Sequence, residues 1–401
     1  MGLTVELVEG LLLIAAIAAM LARRARIPYT VVLVLAGIAI ALAPASLGVS
    51  LTKDLIFRAF LPPLVFEAAF NIPWAELRKD LPVVSLLATV GVAFSAAVTT
   101  AGMHLFAGWE WTAALLFGVL IAATDPVAVI ATFKEAGLKG RLRLLVESES
   151  LLNDGTAAVA FAIALAVTQG STVGAAGIVQ AFLLTVAGGI LCGAVVGFGA
   201  ALVAGRTEDH LVEITFTTVA AYGSFLLAEH FHLSGVLAAL TAGLILGNVG
   251  SLGSFSDTGR DAVESAWEYI AFVANSLIFL LMGVRLAQEH FAGTLIPVIW
   301  SIMLVTLGRA FAVYPCLLPF ARSRLRVDIR QQHILFWGGL RGALALALAL
   351  GLPPTVPRRA EITAVAFAVV AFSVVVQGLT IAPLLRRYGF IAGSANTDRV
   401  Q

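Results

Sequence analysis

A few polar and charged side chains set inside apolar runs carry whatever chemistry this sequence performs. Residues 122–129 read A-A-T-D-P-V-A-V, residues 149–156 read E-S-L-L-N-D-G-T, and residues 338–346 read G-G-L-R-G-A-L-A-L. Thr124, Asp125, Ser150 and Asp154 offer carboxylate, hydroxyl and freed backbone oxygens, which are hard ligands suited to a hard cation such as Na+. Imidazole and thiolate are missing from these runs. His104, His210, His230, His232 and His290 fall near the ends of apolar stretches, His333 begins one, and Cys192 and Cys316 have no ligand-like spacing. A transition-metal site is therefore not expected. A carboxylate withdrawn from water can be neutralised by a proton or by a bound cation, and competition between the two for one site is sufficient for exchange.

Helical spacing assigns these side chains different tasks. At 100° per residue, Ser150 and Asp154 lie about 40° apart and share a face, as do Glu149 and Asn153, whereas Glu149 and Asp154 are separated by about 140°. Asp154, with Ser150 one turn away, can look into a site opened near Thr124 and Asp125. Glu149 points sideways and needs a partner, for which Arg309 is the best available cation. Glu147 lies nearer the end of its stretch, where water reaches it. Glu67 is a further acid inside an apolar run, and Arg58, Arg309 and Arg341 are the basic residues so placed. A charged group at a bilayer centre costs roughly 2.5 to 3.5 kcal/mol on insertion scales, so each of these needs a reason to persist.

The elements that must position them are membrane helices. The chain of 401 residues is 60% hydrophobic and 12% charged, with mean hydropathy +0.98, against about 25% charged residues in soluble domains. A net charge of +1, spread in short clusters, lacks the basic stripe of a nucleic-acid binder. The first apolar stretch is preceded by Glu6 and Glu9 and followed by Arg23, Arg24 and Arg26, the reverse of a secretory signal, and reads as a retained helix. Spans need about 20 apolar residues, and polar punctuation divides the chain into thirteen stretches: 5–21, 28–46, 54–71, 81–106, 112–133, 144–168, 174–204, 213–230, 233–250, 266–284, 294–320, 332–352 and 361–385. The expectation is an all-α polytopic membrane protein, one transporter domain over 1–390 and a short tail, 391–401, with no soluble domain following. Of the 25 lysines and arginines, eighteen fall in the tail or in loops after odd-numbered stretches and four in loops after even-numbered ones. The positive-inside rule then places the N-terminus outside and the C-terminus in the cytoplasm.

Stretches five and twelve are interrupted at similar depth. Pro126 removes a donor and disfavours helix at the residue before it, and Gly338, Gly339 and Gly342 surround Arg341. The two stretches are seven apart, so they run in opposite directions, as in inverted repeats of one to six and eight to thirteen joined by stretch seven. In transporters so built, the broken helices meet near the midplane and frame the ion site.

These three motifs, in this order, resemble the monovalent cation:proton antiporters of the NhaP type, related to animal sodium/proton exchangers. R-I-P-Y-T-V-V-L-V-L-A-G at 26–37 and L-P-P-L-V-F-E at 61–67 extend the resemblance over nearly the whole chain. It implies that Thr124 (through its backbone), Asp125, Ser150 and Asp154 bind the ion, with Glu149 close by. It also implies that Glu149 and Arg309 form the ion pair between helices six and eleven, beside Asn153, that Arg341 belongs to the second break, and that Glu67 takes part in the pH response. Asn153 preceding Asp154 implies electroneutral exchange. The implied assembly is a homodimer in which a core bundle, helices 4–6 and 11–13, moves against an interface domain made of the rest.

The reading is thus a secondary Na+/H+ antiporter of the cell membrane rather than an enzyme, with Na+, H+ and the lipid bilayer as partners and no cofactor beyond the transported ions. Potassium/proton exchange is the alternative. A cation channel built on the same acids is disfavoured because no repeated filter-like loop is visible, and a transporter-like sensor or scaffold because Asp125 and Asp154 are retained.

Overall fold

The computed structural model describes residues 5–25, 27–42, 51–170, 174–206, 209–249, 257–289, 291 and 293–391. They form thirteen helical spans: α1 (Val5–Ala25), α2 (Tyr29–Leu42), α3 (Leu55–Phe60, π-helical, continuing as Leu61–Phe70), α4 (Trp74–Ala107), α5, α6 (Arg141–Thr168), α7 (Ala175–Ala204), α8 (His210–His230), α9 (Gly235–Val249), α10 (Asp257–Gln288), α11 (Leu295–Leu317), α12 and α13 (Arg359–Arg387). Two spans are broken as expected, α5 into α5a (Trp111–Leu120) and α5b (Val127–Glu135), and α12 into α12a (Ile329–Trp337) and α12b (Ala343–Leu350). Seven of the described helices, α4, α6, α7, α8, α10, α11 and α13, are each long and apolar enough to cross a bilayer.

Two boundaries differ from the hydropathy reading by about two turns or more. Helix α4 starts at Trp74 rather than near 81, and α10 at Asp257 rather than near 266. In both cases the helix carries on through charged residues that hydropathy assigns to loops, because local pairing satisfies them. Asp80 is buried and accepts from Arg141 Nε and Nη2 at the start of α6, at 3.0 and 2.6 Å, while Arg141 also donates to the carbonyls of Leu325 and Arg326 before α12a. In α10, Arg260 pairs with Glu264 one turn on. The expected ends of stretches two and nine, at 46 and 250, lie outside the described residues.

Packing divides the spans by neighbour. Helix α4 lies against α11 and α5a, α6 against α4 and α5a, and α12b against α13; on the other side α2 lies against α10, and α9 against α7, α3 and α8. Without water there is little hydrophobic drive between helices, so close backbone approach has to supply the attraction. The α2–α10 crossing shows this directly. A Cβ on Gly37 would collide with the carbonyl of Leu280, and one on Gly283 with the carbonyl of Val34. On α7, Gly189 faces Ser234, just before α9, and Gly193 and Gly197 face Ala238 and Ala242 of α9, while Leu183, Leu191, Val195 and Leu202 point outward and are exposed, as a lipid-facing surface would be.

The contact at Gly283 is against backbone, so no side chain can move aside. Gly283→Val is expected to destabilise the protein by about 1 to 3 kcal/mol, the usual range for overpacking, read as a lower thermal midpoint in detergent; an unchanged midpoint would refute the close crossing.

Candidate ion-binding site

Helix α5a ends at Leu120, and the chain from Ile121 to Pro126 is unwound before α5b begins. This segment crosses the equivalent break in α12. The Asp125 N–H donates to the Leu340 carbonyl at 2.8 Å, and the two residues form an isolated antiparallel bridge. Four half-helix ends meet there, two with free N–H groups and two with free carbonyls.

The charged side chains are distributed to match. Asp125 Oδ1 accepts from the Val127 N–H of α5b at 2.9 Å, and its carboxylate packs against Gly342 at the N-terminus of α12b. One carboxylate thus lies at both N-termini. Such an approach requires glycine at 342, where a Cβ would overlap the Asp125 carboxylate. Arg341 Nη1 donates to the Ala122 and Ala123 carbonyls, at 2.8 and 3.0 Å, beyond the C-terminus of α5a. Arg309 Nη2 donates to the Leu335 carbonyl at 2.9 Å, near the C-terminus of α12a. Cations therefore sit at both C-terminal ends and an anion between both N-terminal ends.

Helix α6 faces this crossing with two acids on different sides, as the helical spacing requires. Glu149 is buried and bound by both terminal nitrogens of Arg309, Nη1 to Oε1 at 2.7 Å and Nη2 to Oε2 at 2.9 Å. Asn153, one turn on, donates to Glu149 Oε1 at 3.3 Å and to Thr124 Oγ1 at 3.2 Å. The Thr124 hydroxyl donates to Ser150 Oγ at 3.1 Å. Thr156 fixes the next turn by donating to the Ala88 carbonyl of α4. Asp154 differs from all of these. It is half-buried and makes no hydrogen bond or ion pair with another described residue.

Asp154 borders a cavity of about 940 Å³ together with Thr124, Asp125 and Leu151. The cavity passes Glu67, Tyr29 and Asn275 and opens between Arg23, Lys134, Glu268 and Arg386, all exposed. Those basic residues lie in the last turns of α1, α5b and α13, on the Lys/Arg-rich side of the molecule. Of the residues singled out from sequence, Asp125, Asp154, Thr124, Glu67 and Glu147 line the cavity. Ser150, Glu149, Asn153, Arg309 and Arg341 form the buried network behind it. Glu67 accepts from Asn71 Nδ2 at 2.9 Å, and Glu147 lies within 3.5 Å of Arg143 inside the cavity.

Sequence reasoning missed several contributors. Tyr29 and Asn275 line the cavity, and Lys134 on α5b pairs with Glu268 on α10 at 3.3 Å across its mouth. Ser373 of α13 accepts from the Arg341 N–H at 2.9 Å. A signal existed for Asn275 and Ser373, each a polar residue inside an apolar run. None existed for the Lys134–Glu268 pair, which joins residues 134 positions apart.

The buried Glu149–Arg309 pair yields a stability prediction. Arg309→Met strands a buried carboxylate and is expected to cost about 3 to 5 kcal/mol, whereas replacing both residues, Glu149→Leu with Arg309→Met, should cost less than either change alone. Thermal unfolding of the three variants decides this; additive losses would contradict the pairing.

Residues 11–387 match the family model described as sodium/hydrogen exchanger, transmembrane. The chain is 40% identical over 373 residues to the Na(+)/H(+) antiporter ApNhaP of Aphanothece halophytica, covering 92% of this chain and 71% of that protein. It is 36% identical over 348 residues to the Na(+)/H(+) antiporter NhaP of Pseudomonas aeruginosa, covering 84% and 81%. Its fold is similar to that of the sodium proton antiporter MjNhaP1 of Methanocaldococcus jannaschii, with TM-score 0.75 over 95% of this chain and 96% of that one, at 18% identity. With a membrane-spanning fold, two crossing broken helices and nearly the full family model matched, the chain belongs to the sodium/hydrogen exchanger family.

Proposed function

We propose that the protein exchanges sodium ions for protons by alternating access, with Asp154 as the carboxylate that trades one for the other. The observation that carries this reading is the contrast between Asp154 and every other acid around the crossing. Glu149 is held by Arg309 and Asp125 by the N-terminus of α5b beside that of α12b, while Asp154 faces the cavity without a partner among the described residues. Its charge is left for cargo. Sodium is held by Asp154 and Asp125 with oxygens of Thr124 and Ser150, and a proton on Asp154 replaces it.

Neutralisation sets the rule of transport. With either cargo the site loses the charge that opposes its movement through a low-dielectric barrier; with neither, the bare carboxylate resists it. A one-for-one exchange at a single carboxylate is electroneutral, and Asn153 supports that reading because it adds no second titrating acid beside Asp154. The moving body is the bundle of α4–α6 and α11–α13, and the support comprises the other helices, assembled as a homodimer in the plasma membrane. The open mouth lies on the Lys/Arg-rich side, so by the positive-inside rule it faces the cytoplasm and the structure is inward-open. A channel would need a continuous path, whereas the lining of this cavity reaches no further along α12b than Ala345.

Proteoliposomes with an acid lumen and a pH-sensitive dye test the assignment. Sodium added outside is expected to alkalinise the lumen for the wild type and not for Asp154→Asn; an active Asp154→Asn variant would refute the role of Asp154, and a response to potassium alone would make potassium the cargo. Lowering the pH on the sodium side should raise KM for sodium and leave kcat unchanged, because protons and sodium compete; a fall in kcat at constant KM would contradict a shared site.

A further inference from the structure

Behind the second break, between α11 and α13, lies a small space bordered by Thr306, Arg309, Gly339, Arg341, Ser373 and Gln377. It leaves about 10 Å³ for the centre of a water-sized sphere, close to the minimum that seats one water molecule. Arg341, on its edge, is 2% exposed. Its Nη1 is engaged by the Ala122 and Ala123 carbonyls and its backbone N–H by Ser373, yet Nη2 has no partner among the described residues. A guanidinium N–H left unpaired in a dry interior costs the full desolvation of that group.

The opposite wall supplies a complement. Residues Ser373–Gln377 of α13 form a π-helical turn, which brings Gln377 beside Ser373, whose hydroxyl donates to Gln377 Oε1 at 2.6 Å. That amide oxygen keeps a second lone pair, and the amide nitrogen keeps its donors.

We infer that one fixed water molecule occupies this space, accepting from Arg341 Nη2 and bonding to the side chain of Gln377. A cation is excluded by the two guanidinium groups in the wall. An anion is not needed, because Arg341 already sits on the Ala122 and Ala123 carbonyls and Glu149 already pairs with Arg309. The water closes a chain from α13 through Arg341 to the free carbonyls of α5a, so the π-turn in α13 helps hold the first broken helix, which it does not touch at this point.

Experimental structures of the full chain prepared in chloride and in bromide, with data collected where bromine scatters anomalously, test the inference. The expected result is one peak within hydrogen-bonding distance of Arg341 Nη2 and Gln377 in both preparations, with no anomalous signal. An empty space, or an anomalous bromide peak, overturns it. In Gln377→Leu the peak should be lost; its persistence at full height would also overturn the assignment, and if that variant fails to fold, the comparison of the two wild-type preparations decides alone.

Discussion

The constraint from which the rest follows is charge balance where four half-helix ends meet without bulk water on most sides. Breaking α5 and α12 exposes N–H groups and carbonyls that hydrocarbon cannot satisfy, and the ends carry partial charges of opposite sign. The chain answers with one anion between the two N-terminal ends, Asp125, and one cation at each C-terminal end, Arg341 and Arg309. Glu149 then offsets Arg309. Removing any of these leaves a buried end or a buried charge uncompensated, which is why they form one structural unit.

That balance gives Asp154 its distinct position. The neighbouring charges are already matched, and Asp154 faces the cavity beside them with no partner among the described residues. The same helix supplies both the paired acid, Glu149, and the cavity-facing one, separated by five positions and therefore by most of a half-turn. Asn153 and Thr124 bridge the two sides through hydrogen bonds, tying the buried pair to the unwound segment. The cavity leads from Asp154 toward the surface, and the Lys134–Glu268 pair places a residue of α5b and a residue of α10 at its mouth.

Much of this was legible in the sequence because it rests on local chemistry. Proline after Asp125 and glycines around Arg341 mark the breaks, the spacing of Glu149, Asn153 and Asp154 assigns their faces, and an acid inside an apolar run demands a cation, which led to Arg309. The helix count followed from punctuation and from the distribution of arginine. What stayed hidden depended on tertiary placement. Arg341 reaches the carbonyls of the other broken helix rather than its own, Asp80 and Arg141 extend α4 and α6 past the hydropathy limits, and Ser373 and Gln377 act through a π-turn that no spacing rule reveals. Tyr29 and Asn275 become cavity-lining only once α2 and α10 are packed against their neighbours.

Whether sodium and a proton occupy Asp154 in turn is tested most directly by proton release on sodium binding, measured by titrating purified protein with sodium chloride in calorimetry across buffers of different ionisation enthalpy. At a pH where the carboxyl is largely protonated, one proton is expected to be released for each sodium bound, with no sodium-dependent release from Asp154→Asn. Sodium binding without proton release, or equal release from the variant, would contradict alternate occupancy.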